Sequence, residues 1–161
     1  MLNSCVKSKP MANIVTTDKF VGTIFIDTSN TNVSTQVDAV ITQLEPKYLS
    51  RIFGRENVSW IYANVETDVL EDFYDFVVTI LSYFMYCEVE KNLYSISTGV
   101  GQVILQGDTG VRTFDNEKYC ENWNYAVDEM FYLGKWIDEN SNLLPETIEF
   151  NEINYINQFG I

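Results

Sequence analysis

The chain has 161 residues, of which 46% are hydrophobic, 14% aromatic and 20% charged. That length suits one domain, and that composition is too apolar for an intrinsically disordered chain while offering no run long enough for a polytopic membrane protein. Ten basic against 23 acidic residues leave a formal charge of −13, a field that repels phosphate and argues against nucleic acid or anionic lipid as the main ligand.

Residues 1–33 lack helical periodicity and read as an N-terminal arm. Lys7 and Lys9 are not followed by a continuous apolar run, so no secretory signal is expected. Phe20-Val-Gly-Thr-Ile-Phe-Ile26 is rich in β-formers and predicts one short extended segment before the polar run Asp27 to Asn32. From Ser34, the residues Val37, Val40, Ile41 and Leu44 recur at helical spacing. Pro46 then fits the first turn of a second short helix that Gly54 would close, so a helix pair is expected over 34–44 and 46–53. Lys47, Arg51 and Arg55 stand four residues apart, which places three cations along one flank, a candidate partner-binding strip.

Asp68 with Glu71 has the spacing of a capping box. Val69 to Leu93 contains no Pro or Gly, so a helix of about 24 residues and ~36 Å follows. Its stretch Phe76 to Cys87 is apolar nearly all round and must be covered by protein on several sides. Gly99, Gly101, Gly107 and Gly110 then punctuate β-branched stretches, and Gln102–Gln106 with Val111–Phe114 reads as a β-hairpin turning at Gly107-Asp-Thr-Gly110, within 95–114. A second long helix is expected from about Asn116 to Asn140, with Tyr119, Trp123, Ala126, Val127, Met130, Leu133 and Ile137 as its apolar stripe. The fold class is therefore mainly α: a helical bundle with two long antiparallel helices joined by a β-hairpin.

Residues 141–161 form a C-terminal docking tail. Ile148, Phe150 and Ile153, followed by Tyr155, Ile156 and Phe159, are too many large apolar groups for a solvated segment, yet Asn and Glu leave it no helical stripe. Each gains about 1.5 to 3 kcal/mol when fully buried. An extended segment of this kind is expected to find its groove on an adjacent subunit, so that removing 146–161 would leave a folded body.

The chemistry-bearing residues are few. Zero histidines remove the usual general base and the commonest transition-metal ligand. Cys5, Cys87 and Cys120 have neither disulfide nor zinc spacing, and the last two sit beside aromatics as buried, inert thiols. Asp108-Thr109-Gly110 is similar to the active-site loop of aspartic proteases, but Gln106-Gly107 before it and Val111-Arg112 after it suit a hairpin turn instead. Gly99-Val-Gly101 lacks the third small residue and the following helix of a dinucleotide site. Between Glu56 and Glu90 stand eight carboxylates and no cation, with Asp68, Glu71, Asp72 and Asp75 on one face. Acidic groups at a helix start complement its dipole, and that explains most of them without a metal. No enzyme activity, cofactor or metal is expected.

The order of short helix pair, long aromatic helix, glycine-punctuated segment, long helix and docking tail resembles the phage head-to-tail connector (adaptor) family, including its counterparts in podovirus and crAss-like phage necks. The resemblance is carried by Leu44-Glu-Pro-Lys-Tyr-Leu-Ser-Arg-Ile-Phe-Gly54, Tyr83-Phe-Met-Tyr86, Ser97-Thr-Gly99, Lys118 and Trp123-Asn124, over residues 34–140. It implies a virion structural protein assembled in the host cytoplasm, self-associated in a ring, in that family typically of twelve subunits. The ring would sit between the portal protein and a tail or second neck-ring protein, with DNA passing through without specific binding and no membrane involved. The alternative is an acidic interaction protein, such as a DNA-mimicking inhibitor, that binds a basic partner. Interleaving of the carboxylates with apolar residues disfavours it.

Overall fold

Four α-helices carry the chain, in a computed structural model that describes residues 12–93, 95–98, 101–104, 106–107, 110–111 and 115–157. They are α1 (Thr31–Phe53), α2 (Val58–Asn64), α3 (Glu71–Leu93) and α4 (Asn116–Glu139). The protein is mainly helical, a helical bundle built around α3. Residues that touch run in opposite order along α3 and α4: Phe73 meets Trp136, Tyr83 meets Tyr125, Phe84 meets Trp123, and the Cys87 thiol lies 3.7 Å from the Tyr119 carbonyl. Helix α1 also opposes α3, with Phe53 against Phe73 and Tyr48 stacked on Phe84 at 5.2 Å.

This sandwiching explains the all-round apolar stretch of α3. Phe84, Met85, Tyr86 and Cys87 are consecutive, so they point in every direction around the helix, and all are buried within the chain's own core. On α4 the stripe Trp123, Ala126, Val127, Met130 and Leu133 is buried as its spacing requires, with Tyr119 and Ile137 packed at its margins. The Asp115 side chain caps α4 by accepting from the Lys118 N–H at 3.0 Å.

Several expectations are corrected. The helix pair over 34–44 and 46–53 is one continuous helix that begins at Thr31, inside the stretch assigned to the arm. Pro46 removes one N–H, but Val37, Ile41, Glu45, Tyr48, Leu49 and Ile52 form one buried stripe across it, and that shared packing keeps the axis continuous. Asp68 does not cap α3; residues 68–70 make a 3-10 turn, preceded by Thr67, whose hydroxyl donates to the Asn64 carbonyl instead.

The segment 20–26 is not a strand. Thr17–Lys19 and Gly22–Ile24 are 3-10 turns, and Gly22 takes a positive φ of 64° that interrupts extended pairing. Its β-formers serve as anchors: Phe20, Ile24 and Ile26 are buried, as are Ile14 and Val15. The described part of the N-terminal segment is therefore docked on its own body. Between α3 and α4, residues 95–98 pair antiparallel with 101–104, and 106–107 with 110–111. The expected single hairpin is not supported as drawn: residues 101–104 take Ser95–Thr98 as their partner, and of the arms 102–106 and 111–114 the described pairing is confined to Gln106 with Val111, beside Gly107 with Gly110. Asp108, Thr109 and 112–114 lie outside the described residues.

Candidate interaction surface

The cationic strip is split by the fold. Lys47 and Arg51 are exposed on α1 and line a groove of about 190 Å³ floored by Leu44, Tyr48 and Trp123, with Glu88 on its α3 wall. Arg55 leaves the flank because Gly54 ends α1 at φ 83°, and the chain turns there into the 3-10 turn Arg55–Asn57. The Glu88 carboxylate accepts from the Tyr48 hydroxyl at 2.9 Å, and burial together with that carboxylate raises the Tyr48 phenol's pKa. Among the described residues no carboxylate comes within ion-pair distance of Lys47, Arg51 or Arg55.

The tail meets the chain's own groove between α1 and α4, which corrects the expectation of a groove on a neighbour. Ile153 is buried, Ile148, Phe150 and Ile156 pack on the core, and only Tyr155 of the described apolar tail residues stays exposed. Phe159 lies outside the described residues. The Phe150 ring lies tilted against Phe53 at 6.2 Å and sits so close to Gly134 that a Cβ there would lie 3.0 Å from its ring. Backbone polar groups are also satisfied internally. The Asn151 N–H donates to the Ile52 carbonyl at 2.8 Å, and the Trp123 indole donates to the Asn154 carbonyl at 3.0 Å. Asn124 both donates to the Ile156 carbonyl and accepts from its N–H, as a neighbouring strand would.

No match to this chain is found among family models, characterised proteins or solved structures.

The acidic residues do not converge on a metal: among the described residues no three Cys, Asp or Glu side chains are grouped to hold one. Glu66, Asp68 and Glu71 instead line an open hollow of about 340 Å³ at the α2–α3 corner, with Val65, Thr67 and Tyr74. Cys87 and Cys120 are free and buried, and burial pushes the Cys87 thiol up to about 12. No described helix is long and apolar enough to cross a membrane.

Two features escaped the reading of the sequence. Glu45 is a fully buried carboxylate that accepts from the Ile14 and Val15 N–H groups and the Tyr62 hydroxyl, and so fastens the N-terminal segment to α1. Its signal was a charge at a core position of the α1 stripe. The other is an aromatic ridge on the outer side of α4, where Tyr125, Phe131 and Tyr132 remain exposed and Lys135 stands over Phe131 at 4.3 Å. Tyr155 from the tail reaches it, donating to Asp128 at 2.7 Å. Phe131 and Tyr132 lie off the buried stripe, which is the pattern that could have disclosed them.

Proposed function

We propose that this protein is a non-enzymatic virion structural protein that forms an oligomeric ring in a phage neck, connecting the portal protein to a tail or second neck-ring protein and lining the DNA channel. The observation that carries the reading is the set of exposed aromatics Tyr125, Phe131, Tyr132 and Tyr155 on and beside α4, which with Val21, Phe25 and Val69 are the large apolar groups left exposed among the described residues. Exposed aromatic side chains of this size, several along one helix, suit contacts with other chains. The resemblance to the connector family supplies the kind of assembly.

The acidic surface supports the same reading, because a wall that repels a polyanion lets DNA pass without sticking. In this role the three long helices α1, α3 and α4 make the wall. Both described terminal segments are engaged with their own core, so in this role contacts with neighbours fall to the surface of the helical body. A DNA mimic would present carboxylates without an interrupting aromatic ridge.

The test is light scattering and negative-stain microscopy of the purified full chain, alone and with portal protein. Ring particles, or a chain that adds to portal in stoichiometric copies, are expected. A strict monomer that ignores portal and tail proteins overturns the reading.

A further inference from the structure

The chain has ten cations, and they are distributed unevenly in use. Of those described, Lys19 pairs with Asp18, Lys118 donates to the Tyr86 hydroxyl, and Lys135 covers Phe131. Lys47 and Arg51 are instead exposed on the rim of a groove with an apolar floor, without an ion-pair partner among the described residues. Copies of a chain of charge −13 repel one another over most of their surface, so contacts between copies are favoured where carboxylates of one meet cations of the other.

The same molecule carries a surface whose charge answers the groove. At the α2–α3 corner, the 3-10 turn Asp68–Leu70 buries Leu70 and projects Val69, which is 68% exposed. Glu66, Asp68 and Glu71, all exposed, line the open hollow beside this turn. One exposed apolar side chain with carboxylates around it thus complements a groove that has an apolar floor and two cations on its α1 rim, its own carboxylate Glu88 being held by the Tyr48 hydroxyl. The two cannot meet within a molecule, because the corner and the groove lie at opposite ends of α3, about 26 Å apart along its axis between Glu71 and Glu88.

We infer that the Lys47–Arg51 groove receives the Val69 corner of a second copy, with Val69 on the Leu44, Tyr48 and Trp123 floor and Asp68 and Glu71 against Arg51 and Lys47. This contact joins two different surfaces, and a head-to-tail contact of that kind closes into a ring when its rotation permits. It rests on the reading that the chain assembles with itself, and it names the interface that does so. Ionic screening weakens the contact, so assembly falls as salt rises.

The test uses two charge-reversed full-length variants, Lys47→Glu with Arg51→Glu, and Asp68→Lys with Glu71→Lys, followed by sedimentation velocity. All four residues are exposed, and circular dichroism checks that helix content is unchanged. Each variant alone sets like charges against each other and should lose assembly, with a dissociation constant raised at least tenfold. An equal mixture sets opposite charges at each junction between unlike variants and should regain association. If wild-type protein assembles and either variant assembles equally well, the inference is overturned while the ring reading stands. Failure of the mixture to recover also overturns it. A wild type that is monomeric alone, yet joins portal through Lys47 and Arg51, assigns the groove to another protein's acidic segment and overturns the second copy as occupant. A wild type that neither self-associates nor joins portal removes the ring reading and this interface together.

Discussion

Glu45 accepts the Val15 backbone N–H at 2.7 Å across thirty residues, and both residues are fully buried. Its other oxygen accepts from the Ile14 N–H at 2.9 Å and the Tyr62 hydroxyl at 2.8 Å. Burial raises the Glu45 carboxyl above its ordinary value of 4.5, with the three hydrogen bonds pulling the other way. The folded state therefore holds this proton more tightly than the unfolded chain does. The stabilisation linked to it is complete below the ordinary value and is lost as pH rises through the higher folded value.

Glu45→Gln turns one acceptor into an amide donor facing one of these three donors. It should cost about 1–3 kcal/mol at neutral pH, as an unsatisfied buried pair does. Urea unfolding of both proteins from pH 4 to pH 8 checks this. The wild-type advantage over Gln should change across the acid range, and parallel pH curves would show that Glu45 does not titrate on folding.

Trp123 packs edge-on against Phe84 at 4.7 Å while its indole holds the Asn154 carbonyl. Trp123→Ala should cost about 3–5 kcal/mol, the range for truncating a large core aromatic. Trp123→Phe separates the two roles: it keeps much of the packing, loses the hydrogen bond, and should cost less while raising proteolytic cleavage in 145–157.

Removal of 146–161 should strongly destabilise the fold, in contrast to the expectation drawn from composition. It strips Phe150 from Phe53, uncovers the site of Ile153, and leaves the Asn57 side chain without its Thr147 partner groups. Thermal unfolding by circular dichroism reads the result. An unchanged midpoint would mean that the tail contributes nothing to its own subunit. Gly134→Ala is the milder probe, since the added methyl meets the Phe150 ring and should loosen the tail without removing it.

Cys87 and Cys120 should resist alkylation by iodoacetamide at pH 8 in the native protein and react at once in denaturant. Both are buried, and burial raises both thiols, Cys87 to about 12, so the thiolate that reacts is scarce. Mass spectrometry of peptides containing each residue checks this. Rapid native labelling of Cys87 would contradict the packing of α3 beneath α4.

Local pattern sufficed for α3 and α4. The three- and four-residue steps from Tyr119 to Ile137 and the unbroken apolar run of α3 each identify a helix, because amphipathic spacing constrains which side faces the core. Gly54 as a helix end was legible for the same reason, since a left-handed residue there suits glycine alone. What local pattern left undecided was settled by partners distant in the chain. Pro46 reads as a boundary until the buried stripe on both sides of it is seen to pack on one surface. The β-formers of 20–26 read as a strand until their use as anchors appears, and Glu45 reads as a solvated charge until Ile14, Val15 and Tyr62 surround it. The tail's apolar residues required burial from composition, but whose groove would bury them depended on α1 and α4 lying far enough apart to admit Phe150 and Ile153. Burial is a property of the whole packed chain, and a sequence states the need for it without naming the surface that meets it.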